Sequence, residues 1–313
     1  MTKLKVLIID RMHESLLPLL QEIGLEADYQ PQITPGRVKE IIPQYHGVIV
    51  RSKMEITEEI IKKTPNLKFI ARAGSGIDNI TFPLDKYPNV HVVNAPEGNR
   101  DAVAEHTVGL ILTLFNKINT SHDQVKQKLW DREGNRGIEI KGKTIGIVGF
   151  GNMGSALANL LQSFQCQIIA YDKYKTDLGC NYVRPVSLDE LFYETDILSL
   201  HVPLTSETNH LVDHQFINSF RKSIFLINTA RGMIVPNRVL VDNLRSGKLS
   251  GAGLDVLEKE KLQLLDETEE KLFNELIGFP NVVITPHVAG WSHESYQRIN
   301  EVLVEKIKQL TNL

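Results

Sequence analysis

An arginine, a cluster of acids and a histidine each follow an apolar run in the second half of the sequence. "SIFLINTARG" leads to Arg231. "LSGAGLDV" leads to Asp255, with Glu258 and Glu260 just beyond. "NVVITPH" leads to His287. A guanidinium at the tip of a buried strand can grip a carboxylate through two parallel hydrogen bonds, and its charge polarises a neighbouring keto oxygen. A histidine titrates near neutral pH and can take a proton or return it. An acid beside it stabilises the imidazolium. These three types suit proton movement on an anionic 2-hydroxy or 2-oxo acid.

Removing a hydride from such an acid needs an acceptor, and a second motif supplies its site. "GFGNMG", Gly149 to Gly154, is a G-x-G-x-x-G that follows the apolar "TIGIV" and opens the helical pattern "NMGSALANLLQSFQ". Asp172 ends the next apolar run, 23 residues after Gly149, close to the spacing of the dinucleotide-binding fingerprint. Gly149 permits the tight turn, Gly151 lets backbone approach a pyrophosphate, and Gly154 lets helix and strand pack closely. The amides of Asn152 and Met153 then face the anion at a helix N-terminus. Asp172 is expected to accept hydrogen bonds from the adenosine ribose. Its charge repels a 2′-phosphate, so NAD is expected rather than NADP, with Lys173 and Lys175 the nearby cations that argue the other way.

Strands must carry these residues to a common rim. Apolar runs come in two series separated by segments of helical length: "KVLIID", "GVIVR", "LKFIARAG" and "VHVVNAP", then "KTIGIVGFG", "QIIAYD", "DILSLHVP", "SIFLINTARG", "LSGAGLDV" and "NVVITPH". Such runs indicate parallel strands covered on both faces. In doubly wound sheets, chemistry collects at the carboxyl ends of the strands. Within the strand that leads to Arg231, Phe225 and Ile227 are expected to face the core. The segment from Arg100 to Asn116, "RDAVAEHTVGLILTLFN", is apolar nearly all round and predicts a buried helix capped by Asn99 or Asp101. "SLDE", Ser187 to Glu190, has capping-box spacing. Ile299, Leu303, Ile307 and Leu310 line one face of a C-terminal helix.

Composition narrows the function classes. The 313 residues are 42% hydrophobic and 23% charged, with a net charge of -3, so no basic excess argues for nucleic acid. No apolar run reaches transmembrane length, and the N-terminal apolar run stops at Asp10, too early for a signal peptide. The expected compartment is the cytoplasm. Cys166 and Cys180 cannot form a disulfide framework in a chain of this size. No His, Cys and acid cluster has metal spacing, so no metal is expected. His106, within the apolar helix, reads as a buried, hydrogen-bonded core residue.

The sequence resembles the D-isomer-specific 2-hydroxyacid dehydrogenase family, through "VRSK", "ARAGSGIDNI", "NAPEGN", "GKTIGIVGFGNMG", "YDKY", "NTARG", "GAGLDV" and "TPHVAG" in family order over nearly the whole chain. Its nearest resemblance within the family is to the enzymes that oxidise D-3-phosphoglycerate to 3-phosphohydroxypyruvate in serine biosynthesis. The resemblance implies that Arg231 binds substrate, that His287 is the acid/base, and that Glu260, five residues after Asp255, supports the histidine. It also implies that Asp255 contacts the nicotinamide amide, and that Val202, Thr229 and Ala230 line the cofactor. The expected class is α/β with two doubly wound parallel-sheet domains: a Rossmann NAD domain over 99–287 and a flavodoxin-like substrate domain over 1–98 and 288–313. A homodimer is expected.

The sequence departs from the family in two places. Lys261 stands where the family usually has proline, and Leu262 to Gly278 is longer and more helical than the usual loop, which keeps Glu258 open as a rival to Glu260. "AGWSHES" after His287 introduces Trp291, read as shaping the pocket or packing a hinge.

The substrate end is read from the first series. The amides of Ser75 and Gly76, in "RAGSGIDN", can form an anion nest. A phosphorylated acid needs a second cationic grip, and Arg51 and Ser52 of "VRSK" suit a phosphate, as the resemblance also implies. Arg51 and Lys53 as merely solvated loop cations is the alternative. Other substrates remain open: glyoxylate or hydroxypyruvate for a reductase, D-lactate, or erythronate-4-phosphate. A different class, an NAD(H)-binding corepressor-like sensor, uses the same fold and the same residues.

Overall fold

The computed structural model describes residues 3–311. The chain divides into two compact units. One comprises the described residues up to Arg100 and from Trp291 onward; the other is Asp101–Gly290.

The first unit contains β1 (Lys5–Ile8), β2 (Glu26–Tyr29), β3 (Gly47–Val50), β4 (Phe69–Arg72) and β5 (His91–Asn94). All pair in parallel, in the order β2-β1-β3-β4-β5. Strands β1 and β3 are almost wholly apolar and buried because helices cover both faces. Strand β2, "EADY", lies at an edge and has no apolar run to announce it. The helix His293–Thr311 belongs to this unit. It buries Ile299, Leu303, Val304 and Ile307 against Val6, Ile8, Phe69 and Ala71 of the sheet.

The second unit contains β6 (Thr144–Val148), β7 (Gln167–Tyr171), β8 (Arg184–Pro185), β9 (Ile197–Leu200), β10 (Ile224–Asn228), β11 (Leu249–Leu254) and β12 (Val282–Ile284). They form one parallel sheet in the order β12-β11-β10-β9-β6-β7-β8. In each sheet the winding reverses beside its first strand: between β6 and β9 here, between β1 and β3 in the first unit. Such reversals splay the covering connections apart and open a crevice at the carboxyl ends of the strands.

Three local expectations are corrected. The apolar helix spans Pro96–Phe115, so it begins at a proline ahead of Asn99 and Asp101. Proline fits a first helical position because that N–H has no partner to lose. The helix is also not buried all round. Ala104, Leu110, Ile111, Leu114 and Phe115 enter a core of the second unit, whereas Glu105 and Gly109 are exposed. Strand β10 buries both its faces: Ile224, Leu226 and Ile227 are inaccessible, while Phe225 is only partly covered. The capping box at Ser187 forms as its spacing predicts. Ser187 Oγ accepts from the Glu190 amide at 3.2 Å, and Glu190 Oε2 accepts from the Ser187 amide at 2.8 Å.

Candidate active site

The glycine loop leaves β6 at Val148. Gly149 has φ +92, and a Cβ there would fall 2.7 Å from His201 O and 2.9 Å from Val202 Cγ1. A Cβ at Gly154 would fall 2.2 Å from Gly149 O. Nothing lies within 4 Å of a Cβ built at Gly151. The outer two glycines are therefore required by the protein's own packing, and the middle one faces open space. That is the arrangement a dinucleotide pyrophosphate needs. Helix Asn152–Leu161 starts directly behind it, so the amides of Asn152 and Met153 are in its first turn.

Asp172 follows β7 and first braces this loop. Its Oδ2 accepts from the Phe150 amide at 2.8 Å, and its Oδ1 accepts from the amides of Tyr174 at 2.9 Å and Lys175 at 3.1 Å. The two neighbouring lysines are engaged by the protein. Lys173 Nζ lies 2.5 Å from Glu207 Oε2, and Lys175 Nζ donates to Phe150 O at 3.0 Å. With Asp172 at the strand end and both cations occupied, this end of the site suits a ribose diol better than a 2′-phosphate.

Sequence reading passed over Asn228, which aims the arginine. Asn228 is 1% exposed. Its Oδ1 accepts from the Ala230 amide at 3.0 Å, and its Nδ2 donates to Arg231 O at 3.0 Å. Thr229 Oγ1 lies 3.2 Å from Thr107 Oγ1, and Ala230 is buried. Arg231 Nη1 donates to Ala230 O at 2.7 Å. A Cβ at Gly232 would sit 1.9 Å from Leu257 O. The turn after β10 thus packs backbone-to-backbone on the exit from β11, which only glycine allows.

His287 Nδ1 lies 2.9 Å from Glu260 Oε1 and 3.0 Å from Glu260 Oε2. Glu258 points elsewhere: its Oε1 is 3.6 Å from His210 Nε2, and its other oxygen accepts from the Asn237 amide. The long segment after Glu260 forms a short 3-10 turn, Leu262–Leu264, and a helix, Glu267–Gly278, with a capping box at Asp266. Arg231, Glu260, His287, Met233 and Leu264 line one cavity of about 460 Å³.

Asp255 is 1% exposed. Its Oδ1 accepts from Thr285 Oγ1 at 2.6 Å and the Val288 amide at 2.9 Å, and its Oδ2 accepts from the Ala289 amide at 2.8 Å. The resemblance assigns this residue to the nicotinamide; in the structure its carboxylate is turned into the protein, where it ties down the loop that carries His287. His106 is hydrogen-bonded as expected but is not buried in the core. Its side chain is 26% exposed, and Nε2 lies 2.9 Å from Thr285 Oγ1 and 3.6 Å from Asp255 Oδ1. Its helical spacing with apolar neighbours hid a position at the rim. His201 follows β9, with Nε2 2.8 Å from Ser199 Oγ. Burial lowers its pKa from 6.5 to about 4.

The first unit has its own rim. Asp10, 8% exposed, accepts from the Arg51 amide at 2.7 Å and the Ser52 amide at 3.4 Å. The Arg51 guanidinium stacks 3.6 Å from the centre of the Trp291 ring and 5.6 Å from that of Tyr296. Burial lowers its pKa; Tyr296 and Asp10 oppose that shift. Lys53 Nζ donates to the carbonyls of Pro31 and Ile33, so neither cation of "VRSK" is a solvated loop residue. Ser75 Oγ donates to Asn99 Oδ1 at 2.6 Å, and Ser75 O accepts from Asn94 Nδ2. Gly74, with φ +142, turns the chain just before Ser75 and Gly76.

A family model for the NAD-binding domain of D-isomer-specific 2-hydroxyacid dehydrogenases matches residues 108–289. Hydroxypyruvate reductase of Thermotoga maritima is 37% identical over 96% of this chain and 94% of that protein. The chain belongs to the D-isomer-specific 2-hydroxyacid dehydrogenase family. Members are NAD-dependent oxidoreductases. D-3-phosphoglycerate dehydrogenase of Archaeoglobus fulgidus is 32% identical over 97% of this chain but only 56% of its own length. Those of Methanocaldococcus jannaschii, Synechocystis and Bacillus subtilis are spanned to a similar extent, 54–57% of their length. Among solved structures, D-lactate dehydrogenase of Aquifex aeolicus with NAD and lactic acid superposes with a TM-score of 0.83, at 31% identity over 98% of this chain and 95% of that one. No helix among the described residues is long and apolar enough to cross a membrane.

Proposed function

We propose that the chain interconverts D-3-phosphoglycerate and 3-phosphohydroxypyruvate. Bound NAD supplies the hydride acceptor or donor. The protein's own residues do the rest. Glu260 sits on Nδ1 of His287, so in the neutral ring Nδ1 carries the hydrogen and Nε2 is the free base. Nε2 takes the hydroxyl proton in the oxidative direction and returns it in the other. Arg231 holds the substrate carboxylate and polarises the oxygen beside it. Glycines 149, 151 and 154, the amides of Asn152 and Met153, and Asp172 hold the dinucleotide. Val202, Thr229 and Ala230 are assigned to its lining.

The observation that carries the phosphate is Arg51. Its guanidinium carbon lies 3.6 Å from the centre of an indole ring, and no ion pair among the described residues joins it to a carboxylate. A stacked arginine keeps its in-plane N–H donors available, and these match phosphate oxygens bidentately. Ser52, and the amides of Ser75 and Gly76, are assigned to the same anionic substrate. The 37% identity with a hydroxypyruvate reductase along nearly that protein's full length supports a second reading, in which the substrate lacks the phosphate. Initial rates with 3-phosphohydroxypyruvate, hydroxypyruvate and glyoxylate, each with NADH and NADPH, decide between them. The phosphate reading requires kcat/KM for the phosphorylated acid to exceed that for hydroxypyruvate, and Arg51→Ala to abolish most of the difference. We also infer a homodimer. The exposed apolar side chains Ile118, Val125, Leu129 and Trp130 lie close together in sequence in the second unit, and light scattering across a concentration series tests it.

A further inference from the structure

The loop after β12 is held in an unusual backbone state. His287 has φ +54, a left-handed conformation that costs a non-glycine residue about 1 kcal/mol or more. It persists only where the surroundings over-determine it. Here three successive amides are tied to one residue. The His287 amide donates to Asp255 O at 2.8 Å, and those of Val288 and Ala289 donate to the Asp255 carboxylate.

Asp255 is nearly inaccessible, so its charge needs donors to replace water. Thr285 supplies one. Its hydroxyl gives its only proton to Asp255 Oδ1. The Thr285 oxygen can then only accept from His106, so Nε2 of His106 carries a hydrogen and donates it at 2.9 Å. The chain has one direction: His106 N–H to Thr285 O–H to the Asp255 carboxylate. Every member lies in the second unit, and none of these hydrogen bonds reaches the His287 ring.

We propose that His106 and Thr285 are positioning residues for His287. They hold the Asp255 carboxylate in one rotamer, so that it grips the amides of 288 and 289. That grip holds His287 left-handed and its ring against Glu260. Loss of the Thr285 hydroxyl leaves a buried carboxylate short of a donor and free to rotate. Rotation loosens the amides and lets the imidazole drift. The catalytic consequence rests on His287 being the acid/base. The structural consequence does not.

Four variants test this: Thr285→Val, Thr285→Ser, His106→Leu and His106→Gln. Serine keeps the hydroxyl, and glutamine keeps an N–H donor. Hydrogen exchange at residues 287–289 reports the grip directly. Exchange there should quicken about tenfold in Thr285→Val and about threefold in His106→Leu, with the rest of the unit unchanged. With NADH and a 2-oxo acid that the wild type reduces, kcat should fall about tenfold in Thr285→Val while KM and NADH affinity stay within about twofold. Thr285→Ser and His106→Gln should restore both readouts. Wild-type exchange at 287–289 in Thr285→Val overturns the proposal. So does an equal kcat loss in the valine and serine variants, or a fall in thermal stability with no local change in exchange. If His287→Asn retains kcat while the exchange pattern follows expectation, the proton role of His287 is lost and the brace stands.

Discussion

Asp10 and Asp255 occupy equivalent places in two different sheets. Each lies just past the end of a strand, β1 or β11, and each is nearly buried. Each accepts backbone amides from the loop after the neighbouring strand: Arg51 and Ser52 after β3, Val288 and Ala289 after β12. Asp172 does the same for the glycine loop, through the Phe150 amide. In a parallel sheet, adjacent strands end side by side, so a short acidic side chain at one end reaches the amides of the next. The carboxylate anchors a loop, and the loop presents the side chain with the chemistry.

The two rims differ in what holds that side chain. The Arg51 head lies on the face of Trp291, with Tyr296 beside it. The His287 ring lies on a carboxylate, Glu260. A cation meant for an incoming anion is best fixed by an aromatic face, which leaves its charge unneutralised. A histidine meant to move a proton is best fixed by an acid, which sets the tautomer and stabilises the charged form. Under the proposed function, the same brace serves two chemistries, chosen by the partner of the presented side chain.

The comparison breaks first at His287. His287→Asn should lower kcat by about 10³ while leaving NADH binding, read by fluorescence titration, unchanged; a loss below tenfold would remove it as the proton carrier. The brace comes next. Asp255→Asn replaces one acceptor oxygen with an NH₂ group that cannot accept from an amide, and should cost about 3 kcal/mol of unfolding free energy in urea. Asp10→Asn, at a slightly more open site with one long bond, should cost less. Equal costs would mean that the two braces do not differ. Arg51→Ala should raise KM for 3-phosphoglycerate about thirtyfold and KM for an unphosphorylated acid less than threefold; Trp291→Ala should show the same selectivity at about fivefold.

A change in stability rather than in rate separates two histidines of one rim. His201 has its pKa lowered to about 4 by burial, so the fold favours its neutral form. The stability it contributes is complete above pH 6.5 and is lost as pH falls towards 4, because the unfolded chain takes up the proton first. That loss should amount to roughly 2 kcal/mol. His201→Asn should flatten the urea midpoint between pH 6.5 and 4, and leave the pH dependence of kcat in place.

Much of this was legible in the order of residue types. Long apolar runs announce the buried strands, the glycine spacing announces the dinucleotide loop, and Arg231, Asp255 and His287 stand out because charges rarely follow core strands; Glu260 comes from the resemblance alone, with Glu258 open beside it. Runs without an apolar signature were invisible: the edge strands "EADY" and "RP" carry none. The exposure of His106 is not legible because its apolar neighbours set the helical pattern, and periodicity says which face a residue shares but not where along the sheet that face ends.

By itself the sequence determined the two parallel-sheet units, the cofactor loop and the kinds of chemistry available, since burial patterns and glycine requirements are local or periodic. Only the tertiary structure decided which acid meets which cation. Glu260 rather than Glu258 lies against His287, Asp255 turns inward to hold amides, and Trp291 lies on Arg51. Those pairings join residues 27 to 240 positions apart. They depend on strand order and on hydrogen bonds a few ångströms long, which a one-dimensional pattern does not contain.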